Sequence, residues 1–343
     1  MTKKVYNIML VKIKKETTAE MRNNNLTELM LKSALYYYDD NITQVEIAKK
    51  LGITRQSVGK YLEMAKEQGI VEIKVKNPFS ETAGISEKFV SLFQGTRLKK
   101  AVIVPGNFPE NTVVRKMVAI RADEYFAEIV NEIHAEKIGV SWGKTVKEMV
   151  DRLDLSAVDS RADIVPLLGS SDNTVPQFTV NEMALTLSRK VNGNPKHIYL
   201  PLDAGTMADF KHYTSTSQYA QISELWKSLD IAFVGIGSFP NDIDSKPVCY
   251  PREKEIVKSI ISQNPVGDIC TNYFDIDGRS VRPESNVLIK ASDDILRNIP
   301  RVVGVAGGSR KPRAIIGAIR SGIITDIVTD EMTAQTIIRL ISK

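Results

Sequence analysis

The stretch VVGVAGGSRKPRAIIGAI, Val302–Ile319, decides the fold class. An all-apolar run ends in two glycines, followed by Ser309, Arg310 and Lys311 and then a helix-forming segment. A strand that is apolar on both faces belongs to a parallel sheet covered by helices on both sides. Glycines expose backbone amides, Ser309 can cap, and two cations stand at a helix start, which is how a chain holds an anion. The next segment, ITDIVTDEMTAQTII from Ile324 to Ile338, repeats the arrangement: an apolar strand, then Thr329 and Asp330, then a helix.

The alternation extends back to about residue 84. Apolar strands are expected at 101–104, 137–142, 163–168, 197–201, 231–236, 301–306 and 323–328. Helices are expected at 85–93, 113–134, 144–153, 178–192, 217–229, 252–264, 311–321 and 330–341. This pattern predicts a large α/β domain, residues 84–343, with a doubly wound, mostly parallel sheet. Such sheets bind ligands beyond the carboxyl ends of their strands, near the switch point.

Four strand-end loops therefore matter. In IGVSWGKTVKEMV, Gly143, Lys144 and Thr145 open a helix after a strand. The spacing of a P-loop is missing, so the anion site would be a plain helix start. In VGIGSF, Gly235 and Gly237 admit a ligand to the backbone and Ser238 adds a donor. In VGDICTNYFDIDGR, Asp268, Asp275 and Asp277 can accept hydrogen bonds from sugar hydroxyls. The fourth loop holds Gly307, Gly308, Ser309, Arg310 and Lys311. Glycine turns after strands are common, and Asp-Gly is usually only a turn. Their joint placement carries the argument: anion sites beside carboxylates and hydroxyls fit a phosphorylated sugar. An amine desolvated beside Trp142 would let Lys144 form a Schiff base with an open-chain sugar aldehyde. The preferred reading of Lys144 is an ionic contact to phosphate.

The first quarter reads differently. The chain of 343 residues is long enough for two domains. Residues 1–80 carry 14 Lys/Arg against 9 Asp/Glu, and the remaining residues carry 32 of each. A basic module on a neutral body suits a polyanion. Residues 1–25 form an extension without clear periodicity. In 26–80, Leu26, Leu29, Met30, Ser33, Ala34 and Tyr37 have helical spacing. ITQVEIAKKLGITRQSVGKYLEMAKEQGIVEIKVK then reads as a helix-turn-helix. Thr43 caps its first helix, with Glu46 completing a capping box. Val45, Ile47, Ala48 and Leu51 give that helix an apolar side. Gly52 suits the turn. Thr54 caps the second helix, whose Val58, Tyr61, Leu62 and Ala65 face the core. IVEIKVK alternates as a strand, which predicts a winged variant, and residues 77–83 read as a linker. The start of the second helix would enter the major groove of double-stranded DNA. Arg55 and Gln56 suit base edges. Gln44, Thr54, Ser57 and Lys60 complete the DNA-facing set, chiefly toward phosphates.

No apolar run reaches the roughly 18 residues of a membrane span, and no signal peptide is evident. Cys249 and Cys270 make no disulfide framework, in keeping with the cytoplasm. His134, His197 and His212 all lie outside the four loops, which argues against catalysis. The alternative is an isomerase or aldolase-like enzyme with an accessory basic domain and Asp275 or Asp277 as base.

Taken together, VSWGKT, VGIGS, VGDICTNYFDIDGR, GVAGGSRKPRAI, ITDIVTDEMTA and ITQVEIAKKLGITRQSVGKYL resemble the SorC family of bacterial sugar-responsive regulators. The resemblance covers nearly everything after residue 26. It implies an effector domain like that of sugar-phosphate isomerases and CoA transferases, used as a sensor. It implies homo-oligomers, typically tetramers, that bind operators near sugar-catabolic operons and respond to a phosphorylated sugar. Carried onto this sequence, it implies a pocket walled by Gly143, Lys144 and Thr145, by Gly237 and Ser238, by Asp275 and Asp277, and by Gly307, Gly308 and Lys311. Family members differ at the position of Lys144, which would tune the effector. No cofactor is implied.

Overall fold

The computed structural model describes residues 25–71, 73, 78–79, 84–153, 158, 160–170, 179–239, 254–282 and 287–342. Most of the expected wing, Cys249 and residues 1–24 lie outside the described residues. The chain forms two compact units, residues 1–76 and 77–343.

The first unit is helical. Helix α1 covers residues 25–34 and continues as a π-helical turn, Leu35–Asp39. It is followed by α2 (Gln44–Leu51) and α3 (Arg55–Glu67). The Thr43 side chain accepts the Glu46 amide while the Glu46 carboxylate accepts the Thr43 amide, the expected capping box. Gly52 takes the left-handed conformation at φ 66°, which turns the chain sharply between the helices. Thr54 caps α3 through the Ser57 amide. Met30, Ala34, Ile47, Ala48, Val58, Leu62 and Ala65 form the core. Val45, expected on the apolar side, is half exposed instead: two positions before Ile47, it falls on a different side of α2 from Ile47, Ala48 and Leu51, which pack on the core.

The second unit is a three-layer α/β domain. Its elements run α4 (Ile85–Ser91), β1 (Lys100–Val104), α5 (Asn111–Ile133), β2 (Lys137–Val140), α6 (Lys144–Arg152), β3 (Asp163–Pro166), α7 (Val180–Lys190) and β4 (Asn194–Pro195). After these come α8 (Met207–Thr214), α9 (Ser217–Lys227), β5 (Ile231–Gly235), β6 (Gly237–Ser238), α10 (Lys254–Ile261), β7 (Gly267–Ile269), β8 (Asn272–Phe274) and β9 (Ser280–Val281). The chain ends with α11 (Asp293–Asn298), β10 (Arg301–Val305), α12 (Pro312–Arg320), β11 (Asp326–Asp330) and α13 (Glu331–Ile341). The main sheet has seven strands in the order β1-β11-β10-β5-β2-β3-β4, and its recorded pairings are all parallel. Successive residues of one strand feed opposite layers: Val102 and Val104 pack with α5 and α6, while Ala101 and Ile103 pack with the layer of α12 and α13.

Two expected strands sit differently. Residues 197–201 run beside the sheet edge with His197 and Tyr199 exposed and Ile198 and Leu200 buried, but the paired strand is Asn194–Pro195. The last strand is Asp326–Asp330 rather than 323–328, so Asp330 both ends β11 and caps α13. A second, antiparallel sheet, β6-β7-β8-β9, was not anticipated, since strands of two or three residues show no periodicity.

A buried ionic knot closes the amino-terminal end of the sheet. The Asp326 carboxylate accepts from Arg301 Nε at 3.0 Å and Nη2 at 2.7 Å. It also accepts from the Tyr125 hydroxyl at 3.0 Å and the Thr325 hydroxyl at 2.6 Å. Removing one partner of such a group leaves the other charge buried and unpaired. Asp326→Ala is therefore expected to lower unfolding free energy in denaturant titration by roughly 3–5 kcal/mol. A loss under about 1 kcal/mol, the scale of an exposed pair, would contradict the knot.

Candidate functional site

Strands β2 and β5 are neighbours, yet their connections diverge. From β2 the chain moves outward through β3 and β4, and from β5 it moves the other way through β10 and β11. This is the switch point, where a crevice opens beyond the strand ends. Ser141 follows β2 directly, is buried, and accepts the Gly235 amide on its hydroxyl at 3.1 Å. Gly143 then opens α6, close enough to Gly235 that a β-carbon on it would lie 4.0 Å from the Gly235 Cα. Lys311, at the start of α12, donates from Nζ to the Ile236 carbonyl at 2.9 Å. The loops after β2, β5 and β10 thus meet: Gly143, followed by Lys144 and Thr145, approaches Gly235, and Lys311 reaches Ile236, next to Gly237 and Ser238.

The electrostatics favour an anion. Helices α6 and α12 begin here, and neither has a side-chain cap. Helices α4 and α5 also lack one, whereas α2, α3, α7, α8, α9, α11 and α13 are capped by a side chain. The first-turn amides of α6 and α12 and the positive ends of both helix dipoles are thus available at the crevice, with Lys144 and Lys311 beside them.

Other expectations need correction. The Gly308 amide is engaged by Asp330 Oδ1 at 2.7 Å and the Thr333 hydroxyl at 2.9 Å. The Ser309 amide is engaged by Asn111 Oδ1 at 3.2 Å. Gly307, Gly308 and Ser309 therefore shape the loop rather than offer a row of amides, and Lys311, not Ser309, occupies the cap position of α12. Arg310 is exposed next to them. Lys144 is exposed at the start of α6. Asp275 and Asp277 sit in the β8–β9 turn. Asp275 accepts the amides of Asp277 and Arg279, and Asp277 pairs with Arg279 at 2.7 Å. That turn packs on Arg320 and Ser321, at the far end of α12 from Lys311, a helix about 13 Å long. The structure does not bring these carboxylates to the crevice.

The carboxylate it does bring is Asp268. Asp268 on β7 pairs with Gly237 on β6, and its Oδ1 lies so close to Gly237 that any β-carbon there would collide with it. Its Oδ2 accepts the Thr271 amide at 3.0 Å. The β7–β8 hairpin turns through Cys270 and Thr271 at φ 50° and 58°. Left-handed backbone costs a non-glycine residue of order 1–3 kcal/mol, and it persists only where the surroundings enforce it. Lys290, buried, donates from Nζ to the Thr271 carbonyl at 2.6 Å. Burial pushes Lys290 down to about 8, against the opposing pull of Asp268 and Cys270. Burial, and next Asp268, push the Cys270 thiol up. The sequence signal for this cluster was slight: one carboxylate among three, and one lysine inside the apolar run VLIKA.

In the first unit, Thr54, Arg55, Gln56 and Lys60 are exposed together at the start of α3 and one turn on, opposite Val58, Leu62 and Ala65. The Thr54 and Ser57 hydroxyls bond each other at 2.9 Å. Gln44 lies over α3 at Gly59, where a β-carbon would meet its Oε1 at 3.8 Å.

A helix-turn-helix with an exposed polar helix start, joined to a doubly wound domain with an anion-favouring crevice, defines a ligand-responsive DNA-binding protein. The comparisons agree. Residues 77–339 match the sugar-binding domain family, and residues 34–72 match winged helix-turn-helix DNA-binding domains. The sorbitol operon regulator of Klebsiella pneumoniae is 26% identical, covering 93% of this chain and all of that protein. The deoxyribonucleoside regulator of Bacillus subtilis is 27% identical, covering 91% of this chain and 97% of the relative. The crystal structure of the full-length Klebsiella regulator superposes with a TM-score of 0.65 at 25% identity, over 91% of this chain and 98% of that one. The chain belongs to the SorC family of sugar-binding transcriptional regulators.

The buried amine makes stability depend on pH. Unfolded, Lys290 titrates near 10.5, and folded at about 8. Between these values the unfolded chain binds more protons, so stability rises with pH. The Cys270 thiol, ordinarily near 9.0 and raised by folding, acts oppositely above pH 9. Denaturant titrations are expected to show a gain of roughly 0.5–1 kcal/mol from pH 8 to 9, levelling beyond, and no gain in Lys290→Met. A parental profile that falls over this interval would contradict the assignment.

Proposed function

We propose that this chain regulates transcription by binding double-stranded operator DNA through α3, with an affinity set by a phosphorylated sugar in the β2–β5 crevice. The observation that carries the reading is the meeting of two uncapped helix starts, Lys311 and the Asp268 carboxylate at one switch point. A phosphate dianion accepts hydrogen bonds from the first-turn amides of α6 and α12 and pairs with Lys144 and Lys311. Sugar hydroxyls donate to Asp268. Thr145 and Ser238 supply further hydroxyls on the same wall. Lys144 acts as an ionic partner, and failure of borohydride to trap any aldose phosphate on it would agree.

Regulation requires the ligand to bind two states of the protein with different affinity. A homo-oligomer, dimer or tetramer, supplies such states and presents two copies of α3 to half-sites one helical turn or a multiple apart. The regulated genes would be a sugar-catabolic operon, and the protein would act in the cytoplasm, where that DNA lies. No catalytic step is assigned: the relatives named above are regulators.

The reading is tested on the protein bound to its own upstream DNA at fixed salt, since affinity depends strongly on salt. Pentose, deoxypentose, hexose and alditol phosphates are added, each beside its unphosphorylated form. One phosphate is expected to change DNA affinity while its parent sugar does not. A phosphate that is consumed without changing DNA affinity would mean an enzyme instead. On the DNA side, Arg55→Ala is expected to weaken specific binding by roughly 1–3 kcal/mol and random-sequence binding much less. Equal losses on both would make Arg55 a phosphate contact.

A further inference from the structure

Burying an ammonium group is costly, and a well-packed apolar side chain in its place is often neutral or stabilising. Lys290 therefore calls for a reason. It lies outside the four strand-end loops, in the run 287–291 that is tied to the main sheet. Leu168 bridges to Lys290, and the Ala291 amide donates to the Leu167 carbonyl at 2.8 Å. From this fixed base its ammonium reaches the Thr271 carbonyl.

The turn it reaches is one the sequence does not favour. Two-residue hairpin loops with both residues at positive φ call for Asn-Gly or Asp-Gly. Here the pair is Cys270 and Thr271, and a β-branched residue at φ 58° is a genuine outlier. Something outside the hairpin must enforce it. Two tethers come from the 287–291 segment: Lys290 on the Thr271 carbonyl, and the Ala291 carbonyl, which accepts from Asn272 Nδ2 at 3.0 Å. The other backbone group of Thr271, its amide, is bonded to Asp268 Oδ2. The turn and the Asp268 carboxylate thus form one unit, and the second oxygen of that carboxylate is the one set against Gly237 in the crevice.

We propose that Lys290 is the positioning residue of the crevice: its bond to the Thr271 carbonyl pins the left-handed Cys270–Thr271 turn and so fixes the Asp268 carboxylate against Gly237. Lys290 touches no ligand. The charged and titratable groups around it are Asp268 on β7, Cys270 at the hairpin tip, Asp293 on α11 and Arg282 after β9. Asp268 balances the buried charge. The consequence for effector affinity rests on the sugar-phosphate reading; the positioning itself does not.

The test uses the full chain and two variants. Lys290→Met keeps an unbranched stem and removes the ammonium. A second variant adds Cys270→Asn and Thr271→Gly, a pair that takes this turn without a tether. Amide hydrogen exchange over residues 267–274, without ligand, is expected to be about ten-fold faster in Lys290→Met than in the parent, a gain confined to this segment. In the Asn-Gly variant it is expected to return to within about two-fold of the parent. A merely structural loss would not be repaired by changing the turn. Calorimetric binding of ribose 5-phosphate, glucose 6-phosphate and glucitol 6-phosphate should follow the same order, about ten-fold weaker in Lys290→Met and restored by Asn-Gly. Unchanged exchange in Lys290→Met, or faster exchange that Asn-Gly does not repair, overturns the proposal. If the parent binds none of these probes while exchange behaves as expected, the positioning stands and the effector reading falls.

Discussion

When two neighbouring parallel strands send their crossovers in opposite directions, neither crossover covers the gap beyond their ends. Strands β2 and β5 impose that constraint here, and the site follows from it. The loop after β2 starts α6 at Gly143, the loop after β5 carries Gly235–Ser238, and the antiparallel β6–β9 sheet grows from that second loop. Lys311 crosses from the neighbouring strand end to hold the Ile236 carbonyl. The seven-stranded sheet decides where a ligand can be held, and the short sheet decides which polar groups it meets there.

The two ends of the large sheet are built on different principles. At the amino-terminal end, Arg301, Tyr125 and Thr325 satisfy Asp326 within a closed buried network. At the carboxyl end, the starts of α5, α6 and α12 lack side-chain caps, and the Cys270–Thr271 turn is kept in a conformation it would not take alone. Strain and incompletely satisfied helix ends concentrate where function is expected, and the stability they cost is made up elsewhere in the fold.

Much of this was legible before the structure. Apolar runs between amphipathic helices imply a covered parallel sheet, because a strand buried on both faces shows no alternation. Thr43, Glu46 and Thr54 could be read as caps because capping depends on residues three apart, and Gly52 as a turn because few other residues accept its φ. What could not be read depends on contacts between distant segments. Asp268, Asp275 and Asp277 look equivalent in sequence. Only the pairing of Gly237 with Asp268 places one in the crevice, and only the packing of Gly278 on Ser321 takes the other two away. Lys290 carries little signal in the sequence, because its partner, the Thr271 carbonyl, lies nineteen positions away. Strands of two or three residues carry too little pattern to announce a sheet.

The central claim is that the anion-binding groups of this domain act at the β2–β5 switch point. The most direct test is a crystal structure of the full chain with a bound sugar phosphate. The account places the phosphate within hydrogen-bond distance of first-turn amides of α6 or α12, with a sugar hydroxyl on Asp268. A phosphate bound instead at the Asp275–Asp277 turn, or at the amino-terminal end of the sheet beside Arg301, would contradict it.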